Sequence, residues 1–248
     1  MADDLPTDIQ TPQRTPASKR GVGRPKGQSA DKTRDAILNA AEDLFAANGF
    51  DGTSLRDVAR ASGVQIAAIG YHFGPKDALF DTVIQRRAEV MSDQRARDLD
   101  RLTAEHGTTP IPLADLVRAY VRPFIASASH GDPGWRTYAA LMGRLANSPL
   151  GTEVIARHYD KTARAYLDAF QRALPNVPET RVIDGFTFMV ASMLALCAST
   201  GRAERLSTED HPPHDVGDTL NPLTAFLVAG FEALADTETT VTTQDDTR

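Results

Sequence analysis

The sequence has almost no cysteine: Cys197 is the single one in 248 residues. That excludes an internal disulfide framework and a four-cysteine zinc site, and it fits a reducing cytoplasm. The opening stretch MADDLPTDIQ is acidic and polar and lacks the apolar core of a secretory signal. The longest uncharged run, GFTFMVASMLALCASTG from Gly185 to Gly201, is broken by Thr and Ser. It falls short of about 20 apolar residues, so it reads as a buried helix, and no membrane span is expected. Strand-period alternation and fixed repeats are missing. So are GxSxG, HExxH and a phosphate-cradling glycine loop. The expectation is a chain with no enzymatic activity, no cofactor and no metal.

What is present is an uneven charge. The net charge of −6 argues against a polyanionic partner. Yet residues 9–30 hold Arg14, Lys19, Arg20, Arg24 and Lys26 and no acid. A basic arm on an acidic body is the pattern of a protein that meets a polyanion at one end; the alternative is a solubilising tail. Gly23-Arg24-Pro25 is thin and extended. Arginine is favoured in a narrow, A·T-rich minor groove, so Arg24 and Lys26 are expected to add minor-groove or phosphate contacts.

The remaining pattern is helical. Residues 1–31 and 237–248 are polar and expected to be disordered. A first helix, 32–48, carries Ile37, Ala41, Leu44 and Phe45 as one apolar stripe and ends at Gly49. Ser54 and Asp57 approximate a capping box for a short second helix, 54–61. Ser62-Gly63-Val64 turns into a short third helix, 65–71. Gly74-Pro75 breaks that helix and opens a long fourth one reaching residue 101. Two short helices joined by a glycine-containing turn form a helix-turn-helix, whose second helix enters the DNA major groove. Further helices are expected over 113–130, 134–147, 149–174, 178–201 and 221–235. The fold class is all-α: an N-terminal three-helix helix-turn-helix domain, 32–78, followed by a larger helical domain, 79–236, whose roles in effector binding and dimerisation are implied by the family resemblance given next.

Residues 33–80 resemble the DNA-binding domain of the TetR family of one-component bacterial regulators. The match rests on AAEDLFAANGFDGTSLRDVARASGV and, at the expected distance behind the turn, YHFGPKDALF. The resemblance implies an all-helical homodimer on double-stranded DNA, with a C-terminal domain that binds a small effector. It also implies that Tyr71, His72, Lys76 and Thr53 grip phosphates. The residues of the third helix agree with this. Gln65 can pair bidentately with adenine, and the methyls of Ala67 and Ala68 can touch thymine methyls. His72 then acts as an interface donor, or else packs and hydrogen-bonds within the domain. Gly70 stands where many family members carry tyrosine, which removes one aromatic contact.

In the C-terminal half, GWRTYAALMGRL and nearby residues suggest an apolar effector cavity formed by Phe124, Trp135, Arg136, Tyr138, Met142, Phe186, Met189 and Met193. Packing in an ordinary core is the alternative for each. The Gly-Trp-Arg start and the YHFGPKDALF variant are similar to the fatty-acid and acyl-CoA branch of the family. On that similarity Arg136 or Arg144 would receive a carboxylate or phosphate. Val190, Leu194, Ala198, Phe226, Ala229 and Gly230 on the last two helices are expected at the dimer interface. The loop EDHPPHD offers Asp210, His211, His214 and Asp215, but surface loops collect such residues, and no metal is expected. The integrated expectation is a cytoplasmic, ligand-responsive transcriptional repressor. Its rivals are a helical scaffold that has lost DNA binding and an enzyme in the C-terminal domain.

Overall fold

The computed structural model describes residues 26–198, 205 and 216–236, and among them every regular element is a helix. The elements run α1 (Lys26–Asn48), α2 (Leu55–Ser62), α3 (Ile66–Phe73), α4 (Lys76–His106), α5 (Leu113–His130), α6 (Gly134–Leu145), α7 (Pro149–Ala173) and α8 (Glu179–Cys197). A short 3₁₀ turn, Val216–Thr219, leads into α9 (Leu220–Asp236). The expected order of helices holds throughout. The largest boundary difference is in α1, which begins at Lys26 instead of residue 32. The segment GQSADK contains no proline, and the helix continues beyond its apolar stripe because nothing in it breaks the hydrogen-bond ladder.

The N-terminal domain is a small three-helix unit. Ile37, Leu38, Ala41 and Phe45 of α1 face Val58 of α2 and Ile69 and Phe73 of α3, all buried. Phe45, Phe50 and Phe80 form an edge-and-stack cluster that closes this core against α4. The turns are set locally. Ser54 and Asp57 form the reciprocal capping box, and Gly63 adopts φ 69°, a left-handed conformation that a side chain would strain.

α4 is the spine. At ~1.5 Å rise per residue its 31 residues span roughly 46 Å. Leu79, Phe80 and Val83 pack on the DNA-binding unit, and Met91, Leu99 and Leu102 pack in the C-terminal core. Val90 lies 54% exposed, because it is turned about 100° around the helix from buried Met91. α4 packs against α5 and α7; α5 also packs against α8 and α9, and α6 lies between α1 and α8. α8 is long and apolar enough to cross a bilayer by length and composition alone, but its inner face, from Val182 to Cys197, is buried against helices of this domain.

One polar junction crosses the domain boundary. Arg87 of α4 donates from Nε and one Nη to the carboxylate of Glu42 in α1, at 2.9 and 3.0 Å. Both of its Nη atoms also reach Asp132 in the α5–α6 loop, at 2.9 and 3.0 Å. Its guanidinium covers the Trp135 ring at 4.8 Å. Arg86 adds a third bond to Glu42, at 2.8 Å. Glu42 is only 2% exposed, and buried carboxylates persist where they are paired in this way.

Candidate nucleic-acid interface and effector core

The exposed face of α3 follows from what its inner face buries. Ile69 and Phe73 point into the domain core, so Gln65, Ile66, Ala67, Gly70 and Tyr71 are left outward. Gln65 is the N-cap residue, but its side chain makes no capping bond, and its amide stays available to an outside partner. Tyr71 is 87% exposed, an unusual placement for a phenol with no other task. His72 is half-buried and stands edge-on to Tyr71 at 5.3 Å between ring centroids. Its ring packs beside those of Tyr71 and Phe73 and makes no hydrogen bond to a described residue. Ala68 is half-buried, which turns its methyl partly away from the open face. A Cβ added at Gly70 would meet nothing, so the glycine there leaves an open gap on the outer face and is not a packing requirement.

Two expected phosphate contacts need correction. Thr53 is 2% exposed, and its hydroxyl donates inward to the carbonyls of Leu44 and Gly49, at 3.1 and 2.9 Å. It holds the end of α1 to the start of α2 and presents no hydroxyl to an outside anion. The Lys76 ammonium donates to the carbonyls of Phe50 and Thr53, at 2.8 and 3.1 Å, and lies 4.1 Å from the Phe50 ring centroid. Its charge pins the α1–α2 loop. Sequence reasoning missed Ile66, 47% exposed at the first position of α3, and exposed Arg34, whose guanidinium covers Phe73 at 5.4 Å. Ile66 belongs to the α3 apolar pattern and gives no signal of facing outward. Arg34 comes near α3 only through tertiary packing. Lys26 is the first residue of α1; Arg24 and the loop with His211 and His214 lie outside the described residues. Among the described residues no group of acids, histidines and cysteine is placed to hold a metal.

The expected effector residues separate into two groups. Phe124, Tyr138, Met142, Phe186, Met189 and Met193 are buried together in the C-terminal core. Tyr138 and Tyr159 share a 2.6 Å hydrogen bond between their hydroxyls, and burial raises both phenols, Tyr159 to about 12. Trp135 is half-buried over Arg87, and Arg136 is exposed and donates to the Ala128 carbonyl at 3.1 Å, so both leave the cluster for the domain junction and the α5–α6 corner. Burial pushes the Cys197 thiol to about 12, which leaves it protonated and unreactive. A separate groove of about 710 Å³ runs between α6 and α8, lined in part by Arg144, Phe186, Val190, Leu194 and Ala198.

The expected dimer residues divide as well. Phe226 is 70% exposed, and Ala229 and Gly230 beside it on α9 are open. Leu194 is a correction: it is 6% exposed, because it points from α8 into its own subunit. Val190 and Ala198 are half-buried. Ile183 and Phe188 on α8 present the outward apolar surface instead.

Two family models match this chain. One, described as bacterial regulatory proteins of the tetR family, covers residues 37–83, and the other, a tetracyclin repressor-like C-terminal domain, covers residues 118–230. Together they take in well over half of the chain and both of its domains.

The chain belongs to the TetR family.

Among its relatives in sequence, the HTH-type transcriptional regulator AcrR of Shigella flexneri is 40% identical over 62 residues, 25% of this chain and 29% of AcrR. The HTH-type transcriptional repressor NicS of Pseudomonas putida is 37% identical over 67 residues, 27% of this chain and 30% of NicS. The matched segment therefore spans under a third of either relative. Solved TetR-like structures share the fold over nearly their whole length. The fatty acid degradation regulator FadR of Bacillus halodurans superposes with a TM-score of 0.57 at 13% identity, covering 80% of this chain and 95% of its own. NalD of Pseudomonas aeruginosa, the secondary repressor of a multidrug efflux pump, gives 0.54 at 23%, covering 81% and 97%. FadR of Bacillus subtilis in complex with stearoyl-CoA gives 0.51 at 17%, covering 79% and 98%.

Proposed function

We propose that this TetR-family chain is a cytoplasmic, ligand-responsive transcriptional repressor that binds a near-palindromic operator as a homodimer. The observation that carries the reading is the outward face of α3: an uncommitted Gln65 amide, an open row of Ile66, Ala67 and Gly70, and an exposed Tyr71 with His72 against it. Small and methyl-bearing side chains allow close approach to a groove floor, the amide can read adenine, and the phenol and imidazole can reach phosphates. Ile66 joins Ala67 as a partner for thymine methyls. Arg34 of α1, over Phe73 at the end of α3, Lys26 at the start of α1 and Arg24 on the arm supply positive charge for backbone contacts.

The apolar residues exposed on α8 and α9, Ile183, Phe188 and Phe226, supply the self-complementary face that a two-fold dimer needs. An apolar small molecule in the C-terminal core would shift the dimer toward a spacing that no longer matches the half-sites. A fatty acid or acyl-CoA is the class that fits the FadR neighbours, one of which is known with stearoyl-CoA. The deciding experiment is selection of bound DNA from a random pool with the purified protein. An enriched palindrome with half-sites about one helical turn apart, or a multiple of it, is the expected result. A pool that remains random would sink the reading. Phe226→Asp should convert dimer to monomer in sedimentation and abolish cooperative binding to the palindrome.

A further inference from the structure

α4 carries two buried arginines, and they differ in a way that matters. Arg87 faces two carboxylates, Glu42 and Asp132. Arg95 is 2% exposed and faces none. Its Nε donates to the Tyr120 carbonyl at 2.9 Å, one Nη approaches the Met193 thioether at 3.6 Å, and its guanidinium lies 3.8 Å from the Tyr120 ring centroid. All three partners are neutral. Asp98, one turn along α4, is already taken by Arg122 at 3.0 Å and by Gln94 at 3.3 Å. Among the described residues no carboxylate forms an ion pair with Arg95. A charge removed from water without a counter-ion is costly, and sequences retain such a group where something else supplies the opposite charge.

The surroundings of Arg95 indicate what that is. Its positive field reaches Tyr138, Tyr159, Tyr166 and Cys197, opposing the upward push of burial on each. The paired hydroxyls of Tyr138 and Tyr159 share one bond, which uses one of their two protons. The second proton has no acceptor among the described residues. Phe124, Phe186, Met189 and Met193 make up the apolar remainder, and unbranched methionines repack readily.

We infer that Arg95 is the receptor for the carboxylate of the effector, and that this effector is a monoanionic acid with an apolar body, seated against the Tyr138–Tyr159 pair in the C-terminal core. The inference rests on the ligand-responsive reading above and narrows its effector to an acid. One negative charge neutralises one guanidinium, and the planar carboxylate suits the forked donors of arginine. A phosphate dianion would leave a buried negative charge over. Arg95 and Arg87 lie on the same helix, so an anion that draws on Arg95 acts on the element whose other buried arginine holds α1 through Glu42.

The test is calorimetric titration of the full chain with octanoate, dodecanoate and phenylacetate, each beside the corresponding alcohol. At least one acid should bind once per protomer and about 10-fold or more tightly than its alcohol. In Arg95→Met acid and alcohol should bind alike, and Arg95→Lys should keep an intermediate preference. Arg164→Met, which removes the exposed ion-pair partner of Asp160 on α7, should leave the preference intact. Equal binding of every acid and its alcohol by the wild type overturns the proposal, as does an acid preference that survives in Arg95→Met. If Arg95→Met shows no folded circular-dichroism spectrum, the wild-type comparison and Arg95→Lys decide. DNA binding is measured separately and without ligand. Operator binding with no acid preference rejects only the acid receptor, and acid preference with no DNA binding rejects only the regulator.

Discussion

Thr53, Lys76 and Tyr71 show how differently neighbouring polar residues are used. Thr53 and Lys76 turn their donors onto backbone carbonyls, while Tyr71 leaves its ring in solvent. Thr53→Val keeps the shape and removes the one hydroxyl proton shared between the Leu44 and Gly49 carbonyls, so it should cost about 1–3 kcal/mol in denaturant unfolding. The salt dependence of DNA binding should stay unchanged in that variant, because no phosphate contact is lost. Tyr71→Ala should do the reverse: stability within about 0.5 kcal/mol of wild type, with DNA affinity reduced in a gel-shift titration. Equal affinity for the two proteins would remove Tyr71 from the interface.

At the level of elements, the α2–α3 pair is defined by its ends. The Ser54 hydroxyl and backbone hydrogen bonds hold the Asp57 carboxyl below its ordinary range, with Arg60 contributing after them. A carboxyl whose folded value is depressed stabilises the fold above its unfolded pKa, about 3.9, and that contribution is lost as pH falls through the folded value. Melting temperature should therefore decline on acidification below about pH 4. Ser54→Ala should show a smaller part of that decline, and it should cost about 1 kcal/mol at neutral pH through the lost cap. A pH profile identical to wild type would mean that the capping box contributes nothing.

For the whole molecule, the junction of Glu42, Arg87, Asp132 and Trp135 joins the DNA-binding domain to the effector domain through side chains drawn from α1, α4, the α5–α6 loop and α6. Gly134 belongs to it, since a Cβ there would collide with the Arg87 guanidinium. Arg87→Met leaves Glu42 buried with only Arg86 to answer it, and should cost about 3 kcal/mol. If the junction transmits the effector signal, this variant should still bind operator DNA while effector releases it less. Unaltered release, measured by fluorescence anisotropy, would place the coupling elsewhere.

The sequence alone determined the order of helices, the capping box, the glycine turn and the outward placement of Gln65, Ala67 and Tyr71 on α3. These are set within a few residues by periodicity, caps and conformational freedom, and neighbours along the chain carry that information. Only the tertiary structure decided that Thr53 and Lys76 serve the fold, that Leu194 turns inward while Phe188 turns outward, and that Arg87 has counter-ions and Arg95 has none. Each of those outcomes depends on groups distant in the chain, such as Glu42 beside Arg87 or Tyr120 beside Arg95, that only packing brings together. Burial then sets the electrostatic worth of a charge, and no local pattern of residues records how deeply a side chain will be buried.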